Sequence, residues 1–178
     1  MKLFTLCDVA PWSHEALREI DQAILGEGGA PISLEWESFS LRKDDGVHFT
    51  LTGLRSFSKA LLDALLDALP PSSSSSPHLP LHILTDSTLA HHSAHTQRTL
   101  KRWLSRRLGR RVTLDAVCGT GFVAGAEENQ HFWARLRRNR PRGEHHLLVM
   151  GGWNDVHNRD GRHAPRAAAR VFSHHSDV

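Results

Sequence analysis

Two short stretches of this chain hold residue types that together could move a proton and attack a carbonyl. Asp45-Gly46-Val47-His48 places a carboxylate three residues before an imidazole, close enough for one turn to bring them side by side and fix the tautomer of the ring. Ser87 directly follows the apolar run Leu79–Leu84 and Thr85-Asp86, which sets its hydroxyl at a strand-to-helix turn. Acyl transfer needs such a nucleophile and base, a group that orients the base, and donors for the oxyanion. Gly119 offers a backbone N–H that no side chain screens, and Asn154 offers an amide donor at a strand end. Taken singly, each residue has a plainer explanation. Ser87 and His48 would be helix caps, Asp45-Gly46 and Gly119 turns, and Asn154 an Asx-turn or cap.

The elements that must carry these residues follow from hydrophobic periodicity. Strands are expected at Lys2–Val9, Ile32–Phe39, Leu79–Leu84, Val112–Cys118 and Leu147–Met150. Helices are expected after Ser13 up to Gly26, over Thr52–Leu69, Ser93–Leu108 and Glu127–Arg138, and from about Pro165 to Phe172. Strands alternating with helices imply βαβ crossovers, hence an α/β fold with a central parallel sheet covered on both faces. Ligands of such sheets bind beyond the carboxyl ends of the strands. Ser87, Gly119 and Asn154 are all expected there.

Together the four stretches resemble the conserved blocks of SGNH (GDSL-type) serine hydrolases. Thr85-Asp86-Ser87 is similar to the Gly-Asp-Ser block of the nucleophile, and Asp115–Gly119 to the second block, whose glycine N–H joins the oxyanion hole. Gly152-Trp153-Asn154-Asp155 resembles the Gly-x-Asn-Asp block, and Asp45–His48, followed by Phe49-Thr50 and Gly53, resembles the closing Asp-x-x-His block and its helix. The resemblance implies a three-layer α/β/α sandwich of the flavodoxin-like SGNH kind and a serine esterase or deacetylase acting on short, acetyl-like acyl esters. It gives Ser87, His48 and Asp45 as the triad, with Ser87, Gly119 and Asn154 forming the oxyanion hole. Asp86 and Trp153 are assigned to substrate binding, with packing an equal alternative for Trp153. No cofactor or metal is implied.

The order of the blocks departs from the family, because the Asp-x-x-His block comes first here instead of last. Pro70-Pro71 and Ser72–Ser76, closed by Pro77, cannot bury a core and read as an exposed linker. Residues 1–70 then correspond to the family's closing portion and residues 78–178 to its opening portion, joined by 71–77 into one circularly permuted domain spanning 1–178. The competing arrangement is a chain cut from a tandem array, swapping halves with a neighbour, so a monomer and a half-swapped dimer both stay open. A second departure is Thr85, where the family carries glycine; a β-branched residue there is expected to strain the turn or narrow the cleft.

Composition bounds the remaining possibilities. The chain has 178 residues, 39% of them hydrophobic, a usual size for one core. No apolar run reaches the ~18–20 residues of a membrane helix, and a soluble, cytoplasmic protein without a membrane partner is expected. The two cysteines, Cys7 and Cys118, are expected as buried free thiols. The 14 histidines, including His91, His92 and His95, lack carboxylates or cysteines at metal-site spacing and read as scattered surface residues. Residues 1–77 hold 6 basic and 11 acidic side chains, against 16 and 8 in residues 78–178. Arginines crowd 98–111 and 135–142, including Arg98, Arg102, Arg106, Arg107, Arg110 and Arg135. They read as a solvated face or, alternatively, as a surface for RNA or another polyanion. The primary partner expected is a small-molecule or carbohydrate ester.

Overall fold

The computed structural model of the protein describes residues 3–6, 15–32, 34, 48–69, 78–125, 127–139, 141–158 and 163–176. Five strands, β1 (Leu3–Leu6), β2 (Ala30–Pro31), β3 (Leu81–Thr85), β4 (Val112–Ala116) and β5 (His146–Met150), form one sheet in the order β2-β1-β5-β3-β4. Every neighbouring pair is parallel. The expected α/β architecture is therefore present. The sheet draws β1 and β2 from before the proline- and serine-rich stretch and β3 to β5 from after it; residues 70–77 lie outside the described residues.

Helices cover both faces because the central strands are apolar on both sides. On one face, Leu81 and Ile83 of β3 and Leu148 and Met150 of β5 pack with α2 (Leu51–Ala68) and α4 (Ala94–Leu108) through Leu54, Phe57, Leu61, Leu65, Leu100 and Leu104. On the other, Leu84, Leu147 and Val149 pack with α1 (Glu15–Gly26), α5 (Phe132–Arg138) and α7 (Ala164–Ser176). Alternate strand residues thus feed separate cores, as the pleat requires. Two short helices, α3 (Ser87–Ala90) and α6 (Trp153–Asn158), start immediately beyond β3 and β5.

Several boundaries differ from those expected. The two-residue β2 lies just before the run Ile32–Phe39 expected as a strand; Ile32 and Leu34 are not in a strand, and residues 33 and 35–39 lie outside the described residues. The helix expected over 127–138 begins only at Phe132: Asn129 takes a positive φ of 54°, and residues 127–129 form a turn. β4 ends at Ala116, so Cys118 sits in the following turn and is exposed, not buried. An apolar run reads as strand, but the last strand of a sheet buries only part of it. Cys7 and the Ser13 cap lie outside the described residues.

Candidate active site

β3, β5 and the edge strand β4 end side by side, and each hands its chain to one of the candidate residues. Asp86 caps α3: its carboxylate accepts from the Thr88 N–H at 2.9 Å and from the Thr88 hydroxyl at 2.7 Å. Ser87, half-buried, is the first residue of that helix. Read from the sequence as a substrate contact, Asp86 is instead only 2% exposed. Burial pushes its carboxyl above the ordinary range, against the lowering pull of the Thr88 bonds. Thr85 is not in the turn at all. It ends β3 in regular register with Ala116 and Met150, where a β-branched residue is at ease, so the expected strain is absent.

The loop after β4 carries Gly119 and is held from two sides. Gly119 is exposed and takes a φ of 70°, the left-handed region that a glycine enters without cost. On one side is Arg135 of α5, 1% exposed. It donates to Asp115 Oδ1 at 2.8 Å, the Thr120 hydroxyl at 2.8 Å and the Thr85 carbonyl at 3.0 Å. On the other side is Asp155, fully buried, which accepts the N–H groups of Phe122, Val123 and Ala124 at 2.9, 2.8 and 2.8 Å. Gly121 lies so close that a Cβ there would overlap the Asp155 carboxylate. Burial raises the Asp155 carboxyl, while the three N–H donors oppose that rise.

Asn154 joins the two parts. Its amide nitrogen donates to the Thr120 carbonyl at 2.9 Å and to Asp86 Oδ2 at 3.3 Å. The second bond is the longer one, and an oxyanion would have to compete for it. Trp153, half-buried, starts α6 beside it.

His48 reaches this place from the other segment of the chain. Phe49 is fully buried and stacks on Phe57 of α2 with ring centroids 4.9 Å apart. Thr50 caps α2 by accepting the Gly53 N–H at 3.0 Å. These two anchors fix the residue before them. The His48 ring lies on that of His91, with centroids 4.1 Å apart and planes 20° from parallel. His91 follows Ser87 by four residues and donates its N–H to the Ser87 carbonyl at 3.1 Å, so the two share one face of a helical turn. The base candidate therefore sits at the turn that begins with the nucleophile candidate. Asp45 lies outside the described residues.

Among the described residues, no three His, Cys, Asp or Glu side chains are arranged to hold a metal ion, and no helix is long and apolar enough to cross a membrane. Comparisons of the chain with protein-family models, curated proteins and solved structures find no match.

Three supports of the site escaped the sequence reading. Arg135 was grouped with the basic surface, yet it is an internal tie, and Arg110 too is buried, donating to the Leu79 carbonyl at 3.4 Å. Asp155 was visible only as the last letter of a motif. His91 reads in the sequence as one of the scattered surface histidines, with no local pattern to single it out.

Proposed function

We propose that the protein is a serine esterase or deacetylase of the SGNH kind, with its segments in permuted order, hydrolysing short acyl esters. The observation that carries this reading is the stacking of His48 on His91, which brings a histidine from the first segment to the helical turn of Ser87. The strand order lends support: counted from β3 through β5 and on to β1 and β2, it becomes 2-1-3-4-5, the doubly wound flavodoxin-like order. Ser87, Gly119 and Asn154 all lie just past the carboxyl ends of strands, where such folds bind ligands.

In this mechanism, the Ser87 hydroxyl attacks the ester carbonyl while His48 takes its proton, and Asp45 orients His48. The tetrahedral oxyanion is met by the N–H groups of Ser87 and Gly119 and by the Asn154 amide, which gives up its longer bond to Asp86. His48 returns the proton to the leaving alcohol, and water then releases the acid from the acyl-enzyme. The double hold of Arg135 and Asp155 on the intervening loop keeps the donors aimed before substrate arrives, which is where oxyanion stabilisation gains most.

Hydrolysis of p-nitrophenyl acetate by the purified chain, beside Ser87→Ala, tests the reading. Turnover is expected to fall by at least about a thousandfold in the variant. Equal rates in the two proteins would rule out Ser87 as nucleophile. A second reading, binding of RNA or another polyanion, rests on the exposed row of Arg98, Arg102, Arg106 and Arg107 on α4. It predicts an affinity that falls steeply with salt.

A further inference from the structure

A shallow apolar trough of about 500 Å³ runs between the first turns of α2 and α4. Its walls include Leu51, Leu54 and Ser58 from α2, and Thr96, Leu100 and Trp103 from α4. Leu51 is 63% and Trp103 37% exposed, two large apolar side chains that the core does not use. Its polar lining residues are Arg55 and Thr99, both exposed, together with Ser58 and Thr96, whose hydroxyls are engaged locally. The Ser58 hydroxyl donates to the Leu54 carbonyl at 2.6 Å, and the Thr96 hydroxyl pairs with Ser93 Oγ at 3.0 Å at the cap of α4. Leu51, Leu54, Leu100 and Trp103 supply the larger, hydrocarbon share of the surface left to a ligand.

The position of the trough gives it a role. Leu51 is three residues past His48, and α4 opens three residues past His91, so both walls of the trough belong to helices that begin within a few residues of the stacked pair, although neither histidine lines it. It follows α2 from Leu51 to Ser58, seven residues or about 10 Å of helix. That is enough to lay out several methylene groups.

Building on the serine-hydrolase reading above, we propose that the trough holds the alcohol portion of the substrate, an alkyl or aryl group, while the acyl group is short. The path of the proton sets which way the substrate lies. As Ser87 Oγ bonds to the carbonyl carbon, its proton passes to His48. When the bond from that carbon to the alcohol oxygen breaks, His48 gives the same proton to that oxygen, and the free alcohol leaves. The leaving oxygen must therefore lie on the His48 side of the reacting carbon. A chain continuing from it enters the trough, whereas the acyl substituent points elsewhere. The natural substrate class is then a small acyl ester, such as an acetate, of an apolar alcohol.

Two ester series matched in carbon number test this: ethyl, butyl, hexyl and octyl acetate against ethyl butyrate, hexanoate and octanoate. In the acetates, kcat/KM is expected to rise at least about tenfold from ethyl to hexyl, a little over two-fifths of what full burial of four methylenes would give in free-energy terms. The acyl series is expected to stay flat or fall. Leu51→Lys and Trp103→Ala, both at exposed positions, should each lower the ratio of octyl to ethyl acetate within the same protein. Active enzyme with a flat acetate series, or with a rise along the acyl series, would overturn the proposal and leave the serine-hydrolase reading standing. Failure to hydrolyse any ester would bring down that reading and this inference with it.

Discussion

Arg135 shows how much one side chain can hold. Its guanidinium serves Asp115, Thr120 and Thr85 together while almost wholly buried. Arg135→Met would leave the Asp115 carboxylate with Asn139 but no cation, and the Thr85 carbonyl with the Val117 N–H alone, and is expected to cost about 3 kcal/mol in urea unfolding. Thr85 poses the opposite case. Its hydroxyl is buried without a hydrogen-bond partner among the described residues, so Thr85→Val, of the same shape, should raise stability by about 1 kcal/mol. Neither effect was legible in the sequence, because an arginine among arginines reads as surface and a threonine after a strand reads as turn. What separates them is the register of β3 and β4, which no local pattern encodes. Ser87 and His48 were legible as types at a spacing, and only the tertiary fold could set them at one turn.

At the scale of elements, the long, strongly periodic helices were readable. α2 and α4 begin and end within a residue of expectation, because Thr50, Ser93 and Gly109 supply the caps. The short pieces were not: α3 and α6 are four and six residues, too brief to show a period. The loop after β4 was opaque for another reason, since its shape is imposed by Asp155 from 31 to 33 residues away. Asp155→Asn keeps the size but replaces one of the accepting oxygens with a donor. It is expected to loosen the loop and lower kcat on p-nitrophenyl acetate by about tenfold or more, with a smaller change in KM. A large loss of stability with unchanged kcat would instead make Asp155 a purely structural tie.

The whole molecule depends on the two segments completing one sheet. Among the described residues, β1 joins the rest of the sheet through β5 and β2 joins it through β1, and the apolar stripe of α2 is buried in a cluster shared with β3, β4, β5 and α4. Segments 1–70 and 78–178 made separately are expected to show weak circular dichroism and to gain helix and sheet signal when mixed. Global stability should also depend on pH through His82. Its imidazole is buried, which pushes its pKa down to about 4, with Asp115 pulling the other way and His145 and Arg135 adding to the fall. The folded protein thus binds this proton less readily than the unfolded chain. The stability tied to His82 is full above about pH 6.5 and is lost as pH falls toward 4, at most about 3 kcal/mol. Urea unfolding at pH 7 and pH 4.5 measures it, and His82→Gln should shrink the difference.

The most direct test of the account is to treat the folded protein with a fluorophosphonate and map the adduct by peptide mass spectrometry. The account predicts one adduct, on Ser87, formed much more slowly in His48→Ala although that variant stays folded. Labelling at another residue, or none in a protein whose circular dichroism shows it folded, would contradict it.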